Sequence, residues 1–328
     1  LSAYIEVEGL SKVFEVKKVI DQLSFSMQKG EILSIIGPSG SGKSTLLRIL
    51  LGLEDVTEGS IRVEGREVSS DQIKERDIGI VFQKPMLFPH MTVLENVIYG
   101  LRMKQEAVDS HYTEAYKYLE KVEMENYSKH YPNELSGGQQ HIISLIRTLV
   151  LKPKLLLLDE PFNHLDPGLR ASTAKWVKQW LRSEGITTIF VTHDVEEVRS
   201  FGDRIALMNN GEFEQIGYPD ALYFNPATPL VASFYSNVLV LEDGLYLHVD
   251  SLKYELLDAD NSINTELKWK AHVVRRLYHP ADQRYQVEIP SLNQKIELPS
   301  NENLLHKKIW IYSDSLHLQS FKKRVTKR

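Results

Sequence analysis

Cysteine is absent from the 328 residues. Disulfides, thiolate metal sites and a cysteine nucleophile are therefore excluded, and a reducing compartment is the natural fit. Long apolar runs are also missing: no stretch reaches the roughly 18 residues that a membrane span needs, so any service to a membrane runs through partners. The opening Leu1-Ser2-Ala3-Tyr4-Ile5-Glu6 lacks a basic region followed by an apolar core, and we read no secretion signal there. There is no excess of positive charge: 39 Lys and Arg face 44 Asp and Glu, a net −5 that argues against a nucleic-acid binder. Low-complexity segments and obvious internal repeats are missing too. What remains, 42% hydrophobic and 25% charged residues, is the composition of a globular protein with one large or two medium domains.

The stretch that organises the rest is Gly37-Pro38-Ser39-Gly40-Ser41-Gly42-Lys43-Ser44-Thr45. It fits G-x-x-x-x-G-K-[ST], the phosphate-loop pattern. Glycines let several backbone N–H groups point into one concavity that suits an anion. Lys43 can reach β- and γ-phosphates, and the Ser44 hydroxyl can serve Mg²⁺. The apolar run Ile32–Ile36 before it reads as a buried strand, and Leu46, Leu47, Ile49, Leu50 and Leu51 after it read as a helix. Strand, loop and helix N-terminus is the context that phosphate requires.

Upstream, residues 3–35 read as strands, and Phe14 offers a ring for a purine or is simply a half-buried strand aromatic. Downstream, Ile78–Phe82 reads as a buried strand that ends at Gln83, an amide able to meet Mg²⁺ or an attacking water, or a plain surface glutamine. Thr92 and Glu95 form a capping box before helices that run to about Glu125. The apolar, proline-bounded Pro85–His90 is either a packed connector or an exposed patch for a partner. Leu135-Ser136-Gly137-Gly138-Gln139 opens a helix, as a second phosphate site or an ordinary turn and cap.

Four leucines, 155–158, lead into Asp159 and Glu160. They describe a central strand that delivers carboxylates to the ligand-binding edge of a sheet, Asp159 for Mg²⁺ and Glu160 for water activation. Asp166 follows shortly. A helix carrying Trp176, Val177, Trp180 and Leu181 leads to Gly185, and the strand Ile186–Thr192 ends in His193, which can bond a phosphate oxygen or the water. After about Asn237 the pattern turns to alternation over Val238–Asp250, Ile289–Leu298 and Ile309–Leu318, a small all-β domain, and the basic tail 322–328 reads as a solvated end.

In this order, GPSGSGKST at 37–45, Gln83, LSGGQ at 135–139, LLLLDEP at 155–161, Asp166 and His193 resemble the ATP-binding cassette (ABC) ATPases over about residues 3–235. The closer resemblance is to importer subunits with a C-terminal β extension. It implies an α/β fold, a phosphate-loop NTPase core with an antiparallel β subdomain and a helical subdomain (about 84–150) within 1–235, followed by an all-β regulatory or dimerisation domain at 236–328. It implies ATP and Mg²⁺ as ligands, with Ser44, Gln83 and Asp159 about the metal, Glu160 polarising the water and His193 at the γ-phosphate. It implies a head-to-tail pair of copies, each ATP lying between Lys43 of one and Ser136, Gly137, Gly138 and Gln139 of the other, with Asp166 nearby and Phe14 stacked on adenine. Residues 83–100 resemble the segment that receives a permease helix, which places the protein in the cytoplasm against the inner face of the membrane, with a solute-binding protein engaged indirectly. The Phe88–Val93 segment is similar to that of importers of inorganic ions such as sulfate or iron(III). The departures are His141 and Ile142, where many relatives carry glutamine and arginine, and Asn163 and His164, where serine or smaller residues are usual. Two alternatives remain open at this level: a non-transport ABC ATPase acting on nucleic acid or ribosomes, and a non-hydrolysing regulatory module.

Overall fold

The computed structural model describes residues 3–71, 76–103, 108–163, 165–241, 244–257, 267–277, 283–313 and 315–321. His164 and the basic tail 322–328 lie outside the described residues. The chain divides into two compact units, Leu1–Ile216 and Gly217–Arg328.

The first unit begins with β1 (Ile5–Phe14), β2 (Lys17–Met27) and β3 (Ile32–Ile36), followed by α1 (Lys43–Leu51), β4 (Glu58–Val63), β5 (Arg66–Glu67) and β6 (Ile78–Val81). Helices α2 (Val93–Met103), α3 (Val108–Lys121) and α4 (Gly137–Leu149) come next, then β7 (Leu155–Asp159), α5 (Pro167–Glu184), β8 (Thr187–Val191), α6 (Val195–Phe201), β9 (Arg204–Asn209) and β10 (Glu212–Gly217). Two sheets result: β2-β1-β4-β5, whose adjacent strands run antiparallel, and β10-β9-β3-β8-β7-β6, in which β9, β3, β8, β7 and β6 run parallel.

The apolar runs explain the central sheet. A strand covered on both faces needs no polar alternation. Leu156, Leu158 and Phe190 face a core shared with α2, α3, α4 and α5, and Leu155, Leu157, Ile189, Leu33 and Ile35 face one shared with α1 and the antiparallel sheet. The period of two thus sorts one leucine run between two cores. The capping box expected at Thr92 is made: Thr92 N donates to Glu95 Oε2 at 2.8 Å, and Glu95 N to Thr92 Oγ1 at 3.3 Å.

The second unit carries α7 (Pro219–Phe224), α8 (Pro229–Tyr235), β11 (Val238–Val240), β12 (Leu245–His248), β13 (Lys253–Leu256), β14 (Leu267–Leu277), β15 (Arg284–Ile289), β16 (Gln294–Pro299), β17 (Lys308–Ser313) and β18 (Gln319–Ser320). Its sheets are β11-β12-β18 and β13-β17-β14-β15-β16. The alternation over Ile289–Leu298 spans a reversal: Pro290–Leu292 forms a 3₁₀ turn, and β16 folds back antiparallel on β15. Proline fixes its own φ and supplies no ladder donor, so the strand stops there although the hydrophobic period continues.

Candidate functional site

Parallel strands place their carboxyl ends on one edge. β3, β8, β7 and β6 are consecutive neighbours. The segments that leave them, Gly37–Gly42, Thr192–His193, Glu160–Asn163 and Phe82–Gln83, therefore converge, as ligand-binding loops of such sheets do. They enclose a cleft of about 680 Å³ lined by Ser39, Gly40, Gly42, Lys43, Ser44, Thr45, Gln83, Glu160, Asn163, His193 and Val19.

The loop after β3 is shaped by close approach. A Cβ on Gly37 would lie 2.0 Å from the Met208 carbonyl oxygen, and one on Gly42 would meet both Met208 Cε and the Val19 carbonyl oxygen at 2.9 Å. Gly42 also has φ 107° and stands as the N-cap of α1 with no side-chain cap bond. The first N–H groups of a helix have no partner within it, so α1 presents them to the cleft. Lys43 is buried, 8% exposed, and spans the loop: Nζ donates to Gly37 O at 2.9 Å, Pro38 O at 2.8 Å and Ser41 Oγ at 3.3 Å. Burial pulls its ammonium below the usual lysine range, against the opposite pull of Glu160 and Asp159.

Ser44 Oγ donates to Asp159 Oδ1 at 3.3 Å. Burial raises the Asp159 carboxyl above the usual range, opposed by that bond and reinforced by Glu160. Glu160 has φ 49°, a left-handed backbone that a non-glycine residue adopts at a cost, while its N–H still donates to Val191 O at 2.9 Å. Its carboxylate is the hub of the cleft. Oε2 accepts from Gln83 Nε2 at 2.9 Å and from Asn163 Nδ2, and Oε1 lies 3.2 Å from His193 Nδ1. Together these groups offer hydrogen-bond donors for an anion and a carboxylate able to accept a proton.

Other expected residues lie elsewhere. Phe14, 39% exposed, ends β1 with Lys12 Nζ 4.7 Å from its ring centre; Val19 of β2, not Phe14, lines the cleft. Ser136 is the N-cap of α4, in a box where Gln139 N donates to Ser136 Oγ at 3.3 Å and Ser136 N to Gln139 Oε1 at 2.9 Å. A methyl group placed on Gly137 would have nothing within 4 Å, so this turn faces open space and not the cleft of its own chain. Asp166 caps α5, its Oδ1 accepting from Leu169 N at 3.1 Å. His141 and Ile142 are buried on α4, away from the cleft. Sequence reasoning did not reach Val19 or the Asn163 contact; Asn163 had only its departure from the usual residue to mark it.

Residues 85–92 are held from two sides. Asn96, fully buried, accepts from Phe88 N at 2.8 Å and donates to the Phe88, Met91 and Thr92 carbonyls. Arg147 of α4 donates to Met86 O at 2.6 Å and lies 5.3 Å from the Phe88 ring centre, leaving Met86 62% exposed.

The chain is similar to known proteins. The ABC transporter family model matches residues 20–163. The sulfate/thiosulfate import ATP-binding protein CysA of Bacillus cereus (strain ATCC 10987 / NRS 248) is 41% identical over 261 residues, 76% of this chain and 72% of that protein. The protein of the same name from Nephroselmis olivacea is 33% identical over 311 residues, 93% of this chain and 88% of its own. Among solved structures, a dimeric ATP-binding cassette in a post-hydrolysis state, bound to ADP and phosphate, superposes with a TM-score of 0.61 at 32% identity, over 65% of this chain and 98% of that one. With its phosphate loop, carboxylate strand and signature helix all in place, this chain belongs to the ABC transporter family as an ATP-binding subunit.

Proposed function

We propose that the chain is the ATP-hydrolysing subunit of an importer for sulfate or thiosulfate, working as a head-to-tail pair bound to membrane permease subunits. The observation that carries the ATPase is the gathering of Lys43, Ser44, Asp159, Gln83, Glu160 and His193 about one cleft. The cargo is taken from the names of the relatives.

ATP phosphates sit at the N-terminus of α1, where Lys43 exchanges the Gly37 and Pro38 carbonyls for phosphate oxygens. The donor set fits Mg²⁺. Ser44 and Asp159 already meet, the Gln83 amide lies across the cleft, and every donor is a hard oxygen. Such an ion retains waters and takes the rest of its ligands from phosphate. When bound, the metal neutralises charge on the phosphate oxygens. Glu160 accepts the proton of the attacking water, and His193 holds that carboxylate and reaches the γ-phosphate.

The open face of Gly137 suits the phosphates of a nucleotide held by a second copy, with Gly138 beside it and Asp166 in the adjoining contact. Phe14 does not line the cleft, and its half-exposed ring is the surface offered to adenine in this reading. The exposed Met86 and its braced loop receive the permease, through which a solute-binding protein is engaged indirectly. No helix among the described residues is long and apolar enough to cross a membrane. Attachment through the permease, at the cytoplasmic face, belongs to the same reading. The cassette extends to about residue 235, and residues 236–328 regulate or stabilise the pair.

The test is Glu160→Gln. ATP binding is retained, a nucleotide-bound dimer accumulates in size-exclusion chromatography, and turnover falls on the order of 10²-fold or more, as for a lost general base. Unchanged turnover sinks the assignment of Glu160.

A further inference from the structure

The carboxylate at the centre of the cleft is more tightly held than a water-activating base requires. A carboxylate has about four acceptor directions. Three of those of Glu160 are taken by this chain: Gln83 and Asn163 on Oε2, His193 at Oε1. The direction left over belongs to Oε1.

The Asn163 contact is built into the fold. Phe162 is fully buried, its ring centre 5.8 Å from those of Phe190 and Phe201, and Leu165 is 4% exposed. Asn163 N donates to Glu160 O at 3.4 Å and Leu165 N to Phe162 O at 3.1 Å, which ties Asn163 to the turn that carries Glu160 and Phe162 to Leu165. Between these anchors the amide turns back over the carboxylate three residues before it. A serine hydroxyl is carried on a shorter side chain and does not span the same gap without a backbone shift or an intervening water.

We propose that Asn163 is a positioning residue for ATP hydrolysis, its amide pinning Glu160 Oε2 so that Oε1, beside His193, is the oxygen that receives the water's proton. The proposal rests on Glu160 as the base. It divides the work of the two amides. Gln83 follows the edge strand β6 and is also committed to the metal side of the cleft, whereas Asn163 stands on the same turn as Glu160 and moves with it. Asn163 therefore keeps Oε2 occupied however Gln83 is arranged. A base fixed to one productive oxygen loses less to misdirected orientations, and small misplacements at such a centre cost up to about 10²-fold in rate.

The experiment measures steady-state and single-turnover ATP hydrolysis by the full chain, with nucleotide affinity taken separately from fluorescent-nucleotide titration. Asn163→Ala lowers kcat about tenfold and leaves KM for ATP within about twofold. Asn163→Ser, with a hydroxyl donor, falls between that variant and the parent. Asn163→Asp loses more than the alanine variant, since a second carboxylate faces Glu160 without a donor. In a Glu160→Gln background, Asn163→Ala changes the residual single-turnover rate by less than about twofold, because the group it positions is gone. Parental kcat in Asn163→Ala, with parental affinity, overturns the proposal; so does the same fractional loss in both backgrounds, which marks a general structural effect. Full turnover in Glu160→Gln alone instead removes the base assignment, whereas an inactive Glu160→Gln beside a fully active Asn163→Ala removes only the role of Asn163.

Discussion

Two helices of the cassette have a glycine at their start, α1 as its N-cap and α4 as its first residue, and they are made differently. At α1 the N-cap is Gly42, with no side-chain cap, and Gly37 and Gly42 are pressed against Met208 and the Val19 backbone. At α4 the N-cap is Ser136, which takes the Gln139 N–H for itself, and Gly137 faces open space. The first start keeps its N–H groups for a ligand and is walled by its own chain. The second commits one donor to its own cap and leaves its glycine surface free for something brought from outside. Such a pair makes sense when each nucleotide is enclosed by two chains, one supplying the cradle and the other the cover.

Gly37→Ala tests the walled site and carries the largest expected effect. The added methyl meets Met208 O at 2.0 Å, a backbone atom of β9, and β9 is locked to β3 through the Ile36–Leu207 pairing. Neither side can yield without disturbing the sheet, so a loss above about 4 kcal/mol is expected in urea denaturation, or no folded protein at all. A variant within about 1 kcal/mol of the parent breaks the contrast with α4.

The walled site is also backed from beneath. Thr192, which precedes His193, donates from Oγ1 to Glu197 Oε2 at 2.6 Å and accepts from Asp194 N at 3.1 Å. Glu197 is 8% exposed, and burial pushes its carboxyl up, against the pull of the Thr192 hydroxyl; Arg170 Nε lies 4.0 Å away. An acid raised in the folded state costs nothing below its unfolded value, near about pH 4, where both states hold the proton. As pH rises through the higher folded value, the cost of the buried charge appears and stability is lost. Glu197→Gln keeps an acceptor for Thr192 and never ionises. Its stability relative to the parent therefore climbs from about pH 4 through the folded value and then levels, a trend that denaturation midpoints taken between about pH 4 and 8 will reveal. Parallel pH curves for the two proteins remove this support from the His193 side.

What the sequence disclosed follows from range. The runs Ile32–Ile36, Leu155–Leu158 and Ile186–Thr192 are buried on both faces, so each advertises a central strand locally, and parallel pairing then fixes that their loops share an edge. That is why Glu160 and His193 could be placed at the same sheet edge as the loop of Lys43, which its own pattern marks; the choice among their possible roles came from the family resemblance and not from the strands. The Asn163 contact with Glu160 depends on a backbone turn anchored by Phe162 among Phe190 and Phe201, which come from distant parts of the chain. Val19 enters the cleft through the β1–β2 hairpin, whose reach no local pattern encodes. In the β-rich unit the alternation at Ile289–Leu298 continued across Pro290, so period alone hid a strand reversal that pairing with β15 decides.

Gly137→Ala is the mildest change and the most discriminating. A methyl group there meets nothing within 4 Å, and Gly137 is the first residue of α4. Alanine is the better helix former by up to about 1 kcal/mol in a helix interior and by less at its start, so stability should hold or rise by a few tenths of a kcal/mol. ATP affinity of the single chain, measured at low protein concentration, should stay at the parental value, because the cradle at α1 is untouched. Under the proposed head-to-tail pairing, turnover and nucleotide-dependent dimerisation should both fall, since the methyl would stand where the second copy's phosphates approach the backbone. A stable variant with full turnover would show that the open glycine surface has no covering role, and the two helix starts would then differ in structure without differing in purpose.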